Sequence, residues 1–244
     1  MQNVFRLFER GFAALQGKGS GSFTIKQEVE NSLKLLNRSP NLVLDVGANK
    51  GEWTKYLLKK QPAAEVFLFE PQTACAENLR QKYKHHHNIK IIEAAASSQD
   101  ATRSLYFDCE GSGMASLSKR CLPSAKVNLN QSAQVSTVKI DTFLSDNGLC
   151  AIDILKVDVE GHELEVFKGM ENVLNSESPP KVIQFEFGGC NVDSRTFFRD
   201  FYDLFSENYE FYRQSPFGLL KIHQYRETDE HFVTTNFFLQ YKRL

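Results

Sequence analysis

The sequence predicts an α/β fold: a mostly parallel central sheet with helices on both faces and an antiparallel edge strand. Three observations predict it. From residue 42 onward, short apolar runs of strand length alternate with stretches of helical period, the spacing of βαβ units. The first apolar run, "NLVLDVG", leads into a glycine-bearing turn, "DVGANKG". A later one, "DILKVDVEGHE", carries charges out of an apolar strand, which is costly unless they are paired or face a cleft.

The elements follow in order. Val4, Phe5, Leu7, Phe8, Phe12 and Leu15 recur near helical spacing over residues 3–15, predicting an amphipathic helix that packs on the domain or on a partner subunit. A membrane-surface helix is the alternative, weakened by having only Arg6 and Arg10 as basic residues there. "GKGSGS" breaks the chain. Residues 24–37 predict a second helix, stopped by Ser39-Pro40. Residues 1–39 are thus expected as a helical extension and 40–244 as the main domain.

Within that domain "NLVLDVG" reads as a strand, "EWTKYLLKKQ" as a helix, "AEVFLFEP" as a strand, "QTACAENLRQKY" as a helix and "NIKIIEAAAS" as a strand. "RSLYFD" and "AQVSTVKID" add extended segments around a Gly/Ser-rich loop. "IDILKVDVEG", "HELEVFKGMENVL" and "KVIQFEFGG" continue as strand, helix and strand. "SRTFFRDFYDLFSEN" is helical, and "YEFYRQ" and "TTNFFLQYK" close the chain as a hairpin-like edge.

Composition narrows the function classes. The 244 residues are 41% hydrophobic, enough for a real core, and the formal net charge of -1 offers no basic field for nucleic acid. No run approaches the ~20 apolar residues of a membrane span, and no signal-peptide pattern opens the chain. Five widely spaced cysteines without a C-x-x-C pair suggest free thiols in a reducing, cytoplasmic setting.

In "DVGANKG" a glycine directly after a strand lets the backbone turn sharply and approach a ligand, and the following helix offers free N–H groups. The dinucleotide pattern G-x-G-x-x-G lacks its third glycine here. The spacing Asp45-x-Gly47-x-x-x-Gly51 instead fits the D/E-x-G-x-x-x-G turn used for S-adenosylmethionine, with Asn49 inside it. Glu70, ending "FLFEP" before Pro71, is placed to accept hydrogen bonds from a ribose. Small residues Ala94 and Ala95, beside Glu93, leave room for an adenine ring. "CEGSGMASLSKRCLPS", residues 109–124, is a candidate covering loop through Met114, Ser116 and Leu117. "FGGCNVDSRTFF", residues 187–198, is a second wall, with Asn191 and Arg195 as donors. "HHH" at 85–87 reads as a solvated turn.

The set "LDVGANKGEWT", "FEP", "ILKVDVEGHELEVFKG" and "FEFGG" strongly resembles the FkbM family of S-adenosylmethionine-dependent methyltransferases, over roughly residues 40–240. The resemblance implies a Rossmann-like (class I) fold and O-methylation of a hydroxyl on a sugar, glycolipid or polyketide-type product. An acceptor hydroxyl must lose a proton. Asp158 is the first candidate to orient or deprotonate it, with Glu160 and His162 behind it, Lys156 tuning it and Glu186 as a further rim acid. Asp158, Glu186 and Asn191 could together offer oxygen ligands to a divalent ion, but no metal is expected. The expected partners are a small-molecule or glycan acceptor, no nucleic acid, and a second copy of the chain should it self-associate through the N-terminal helices. The competing readings are an NAD(P)-dependent oxidoreductase and a cofactor-binding adapter without catalysis.

Overall fold

A computed structural model describes residues 2–19, 21, 25–122 and 127–243. The expected helix at 24–37 and the loop at 109–124 each reach past these, at Thr24 and at Pro123 and Ser124. Two helices, α1 (Gln2–Leu15) and α2 (Ile25–Leu36), precede β1 (Leu42–Val46), α3 (Glu52–Lys60), β2 (Glu65–Phe69), α4 (Thr73–Lys82) and β3 (Ile89–Ile92). Next come β4 (Ala95–Ala96), β5 (Ala101–Phe107), β6 (Cys121–Leu122), β7 (Val127–Asn128), β8 (Gln131–Val138) and α5 (Ile140–Asp146). The chain continues through β9 (Ile154–Val157), α6 (Glu163–Lys168), α7 (Glu171–Leu174), β10 (Val182–Phe187), α8 (Cys190–Ser194) and α9 (Phe198–Phe205). It closes with β11 (Tyr209–Ser215), β12 (Gly218–Ile222) and β13 (Thr235–Tyr241).

The main sheet has the order β12-β11-β13-β10-β9-β1-β2-β3. Strands β3, β2, β1, β9 and β10 are parallel, and β13, β11 and β12 antiparallel. Alternation along each strand divides the core. Leu42, Leu44, Val46, Leu155, Ile183 and Phe185 face a cluster with Phe143, Phe167 and Phe201 from α5, α6 and α9. Val43, Val66, Leu68, Ile154 and Val182 face a second cluster with Val29, Trp53, Leu57 and Leu79 from α2, α3 and α4. Both faces are covered, which is why the parallel strands are apolar throughout.

Several expectations change. The edge is three antiparallel strands, because β13 slots between β10 and β11 while β12 takes the outside. "NIKIIEAAAS" divides into β3 and β4, and β4 leaves the main sheet to pair with β8, which pairs in turn with β5. "HELEVFKGMENVL" breaks at Gly169, where a Cβ would lie 2.1 Å from the Ser97 carbonyl oxygen. Short helices α5 and α8 add to the expected set. Of the expected 1–39 extension only α1 stands clear of the core; α2 packs within it through Val29, Leu35 and Leu36.

Candidate active site

The carboxyl ends of β1, β2 and β9 open onto one cleft, together with β4, β5 and the loop after β5. That is where ligands sit in open α/β sheets, at the point where strand order reverses. Here the chain runs outward from β1 through β2 to β3 on one side, and returns later to lay β9 and then β10 on the other side of β1. Its lining includes Gly47, Asn49, Phe69, Glu70, Pro71, Gln72, Ala95, Ala96, Leu105, Ser116, Leu117, Asp158, Glu160 and His162.

The β1 turn is built by close approach. Gly47 has φ 79°, and a Cβ there would lie 1.9 Å from the Asp158 carbonyl oxygen, so only glycine lets the turn nest against the end of β9. Lys156, buried on β9, donates to the Gly47 carbonyl (2.9 Å) and sits 3.1 Å from Asp45 and 3.5 Å from Asp158. Burial opposes its charge, but Asp45 and then Asp158 outweigh burial and push its pKa up. Asp45 itself is fully buried, accepts from the Thr54 hydroxyl (2.6 Å) and lines none of the cleft. The expected direct contact of Asp45 with a cofactor is therefore replaced by support from beneath the turn. Gly51 is likewise off the cleft: it caps α3 with φ 67°, and a Cβ would strike Leu79 Cδ2 at 2.6 Å. Tyr83 and Lys82 donate to the Gly51 and Lys50 carbonyls, so this glycine serves the packing of α3 on α4.

Glu70 lines the cleft. Its two carboxylate oxygens accept from the backbone N–H groups of Asn49 (2.8 Å) and Gln72 (2.9 Å). Burial raises its pKa and these two amides pull it back. Each oxygen keeps a lone pair for a hydroxyl. Pro71 lines the cleft beside it. Ala95 and Ala96 form the wall expected of Ala94 and Ala95; Ala94 is buried away from it. Glu93 turns outward to Arg80 (2.7 Å) and Thr73 (2.7 Å). Of the loop after β5, Ser116 and Leu117 line the cleft and Met114 does not.

The acids after β9 do not continue the strand. It ends at Val157, and Glu160 and Gly161 take left-handed φ values of 57° and 97°. Glu163 holds this reversal: its Oε1 accepts from the backbone N–H groups of Val159 (3.0 Å) and Gly161 (3.1 Å). The alternation expected to align Lys156, Asp158 and Glu160 therefore stops at Lys156. Asp158 reaches the cleft with its side chain 42% exposed. Glu160 is bound by Arg120. Burial and then Asp158 raise the Glu160 pKa, against the pull of Arg120. Ser116 donates its hydroxyl to the Glu160 carbonyl (2.9 Å). His162 also lines the cleft, 3.0 Å from the Ser97 hydroxyl, and burial lowers its pKa to about 4. It shares the cleft lining with Asp158.

On β10, burial and the negative charges of Asp158, Glu160, Glu163 and Glu28 push Glu186 well above the carboxylate range. Glu160, Glu186 and Cys190 bring their ligand atoms within 4.8 Å of one another. Asn191 does not join them: its Oδ1 accepts from the Gly188 N–H (2.8 Å), tying the loop after β10. Arg195 is exposed at the end of α8. Neither residue lines the cleft. His85, His86 and His87 are exposed in a turn. Sequence reasoning missed Arg120, Gln72, Ser112 and Glu163. Only Glu163 had a local signal, as the last acid of "KVDVEGHE".

Fold and cleft together define a class I, Rossmann-like methyltransferase architecture. The chain matches the model of the Methyltransferase FkbM domain over residues 45–211, and it belongs to that family. Its cofactor is S-adenosylmethionine, and the oxidoreductase alternative falls. Among curated proteins it is similar to the 2-O-methyltransferase NoeI of Sinorhizobium fredii, 25% identical over 68% of this chain and 70% of that one. It is also similar to Methyltransferase sdnD of Sordaria araneosa, 30% identical over 53% and 60%. A third relative is the 31-O-demethyl-FK506 methyltransferase FkbM of Streptomyces tacrolimicus, 25% identical over 55% and 61%. The chain thus spans about six-tenths of the length of the last two. No described helix is long and apolar enough to cross a membrane.

Proposed function

We propose that this protein transfers the methyl group of S-adenosylmethionine to a hydroxyl of a small-molecule or glycan acceptor, in the cytoplasm. One observation carries the reading: Glu70 from β2 and Asp158 from β9 line the same cleft on either side of the Gly47 turn. The residues fit the cofactor. Glu70 offers two carboxylate oxygens to ribose hydroxyls. Phe69, Leu105, Ala95 and Ala96 offer apolar walls to a flat ring, and Gly47 and Asn49 take the remainder. The bound cofactor would supply an electrophilic methyl group on a sulfonium.

This chain's own residues then have to place and deprotonate the acceptor. Asp158 is the proposed group. It is the exposed acid of the rim, whereas Glu160 is engaged by Arg120 and Glu163 by backbone amides. Lys156 fixes Asp158 relative to the Gly47 turn through one ammonium group. Glu186, on the neighbouring strand, is proposed to face the acceptor. Oxygen as the accepting atom is favoured by NoeI and the Streptomyces relative, both named for methylation at oxygen. The rim of acids disfavours a polyanionic acceptor. Positioning the two reactants is worth several kcal/mol in such a reaction.

Calorimetric titration with S-adenosylhomocysteine tests the cofactor site, and NAD serves as the control. Binding of the first without the second is expected; the reverse would overturn the reading. A methyl-labelled cofactor incubated with cell extract, followed by mass spectrometry, should place the label on oxygen. Label on nitrogen or carbon would refute the hydroxyl acceptor. Turnover should survive EDTA; loss restored by Mg²⁺ would make the acids around Glu186 ligands.

A further inference from the structure

The most unusual surface of the molecule is α1. Its residues from Val4 to Phe12 are all exposed, and none belongs to either core cluster among the described residues. Leu7 is 71%, Phe5 67%, Phe12 63% and Phe8 61% exposed. At 3.6 residues per turn, Val4, Phe5, Leu7, Phe8, Phe12 and Leu15 occupy one half of the helix, and Arg6, Glu9 and Arg10 the other. A monomeric surface does not keep three phenylalanines in water without a reason.

The helix is nevertheless held in place by the segment at its carboxyl end. Arg213 donates to the Gln16 carbonyl (2.8 Å). A Cβ at Gly17 would lie 2.0 Å from the Gln214 carbonyl oxygen. The Gly19 N–H donates to the Thr235 hydroxyl, and the Gly21 N–H to the Thr234 carbonyl, both at 2.9 Å. Thr235 pairs with Phe187 at the carboxyl end of β10, one residue after Glu186. The tether therefore lies at the edge of the sheet where β10 ends and β13 begins. Val233, also half exposed, stands beside Gly19.

We infer that α1 is an interfacial helix that lays its apolar face into a lipid bilayer carrying anionic headgroups. Two arguments favour lipid over a second copy of the chain. The first is area. A helix of 14 residues is about 21 Å long and ~10 Å across. Even wholly covered, the six apolar side chains of this one helix offer less than the ~800 Å² of accessible surface per partner in a stable dimer. A bilayer needs no matching surface. The second is composition. A full apolar half bearing three Phe and two Leu suits a helix lying in the headgroup plane, and although Arg6 and Arg10 are its only basic residues, they leave the polar half with a net positive charge against Glu9.

The test uses the full chain and does not depend on the methyl-transfer reading. The protein is floated on a density gradient with vesicles of phosphatidylcholine alone or mixed with phosphatidylglycerol. Sedimentation velocity without lipid gives its oligomeric state. The double variant Phe8→Glu/Phe12→Glu changes two exposed side chains of α1 that lie outside both core clusters, so melting temperature and S-adenosylhomocysteine affinity should be unchanged. Its partition onto mixed vesicles should fall at least about tenfold. The double variant Arg6→Ala/Arg10→Ala should weaken binding to mixed vesicles more than to neutral ones. Failure of the native chain to float would overturn the inference. So would undiminished flotation of the phenylalanine variant, or a native dimer that this variant dissolves.

Discussion

Glu70 and Asp158 are both acids at strand ends, yet their partners give them different work. Glu70 holds two backbone amides in place as well as facing the cleft. Glu70→Ala should therefore weaken S-adenosylhomocysteine binding by ~1.5–3 kcal/mol, roughly ten- to a hundredfold in a calorimetric titration. An unchanged affinity would remove Glu70 from the site. Asp158 is held mainly by the Lys156 ammonium, so Asp158→Asn keeps volume and removes the basic oxygen. Turnover should fall by ~10²–10⁴ with cofactor affinity changed less than about tenfold. Loss of binding instead would move Asp158 into the cofactor's own surroundings. The sequence made both acids visible because each follows a strongly apolar strand. It could not show that Asp45 points beneath the turn, since the partners that turn it there, Thr54 and Lys156, come from α3 and from a strand more than a hundred residues on.

The turn between β1 and α3 separates two uses of glycine. At Gly47 an added Cβ would meet backbone oxygen at 1.9 Å beside the cleft; at Gly51 it would meet the Leu79 and Tyr83 side chains of the neighbouring helix region. Gly51→Ala should lower unfolding free energy by ~1–3 kcal/mol, for positive φ and overpacking, while the folded fraction keeps its cofactor affinity within a few fold. Denaturant unfolding and titration on one preparation would check this. Affinity lost without any change in stability would return Gly51 to the cleft. The same contrast explains what was legible among the elements. The run β1–α3–β2–α4 announces itself through local period and turn residues. The small sheet β4-β8-β5 does not, because β4 is two alanines whose pairing with β8 lies some forty residues away. The insertion of β13 between β10 and β11 is equally non-local.

At the scale of the molecule, a buried polar network ties the second helix to the sheet. Gln184 on β10 donates to Glu28 of α2 (2.7 Å), and its carbonyl accepts from Trp53 of α3 (3.0 Å) and Ser32 of α2 (3.2 Å). Burial and then the negative charge of Asp158 raise the Glu28 pKa to about 7 from an ordinary 4.5. The folded state therefore keeps a proton that the unfolded chain releases between those values. The stability this contributes is fully present below pH 4.5 and is lost as pH rises through about 7. Other groups move with pH too. Burial also raises Glu163 to about 7, with the same sign, while the lowered pKa of His162 makes stability rise with pH below 6.5. Comparing the native chain with Glu28→Gln cancels both, because they titrate alike in the two proteins. The variant carries a neutral side chain of the same shape at every pH. Near pH 5 the two should unfold at similar denaturant concentrations. By pH 8 the variant should be the more stable, by up to about 3 kcal/mol, the free energy of a pKa displaced by that much. Equal pH profiles from 5 to 8 would mean that Glu28 is charged throughout, compensated by Lys156 across the Gly47 turn, and that α2 is held to the sheet by its apolar face alone.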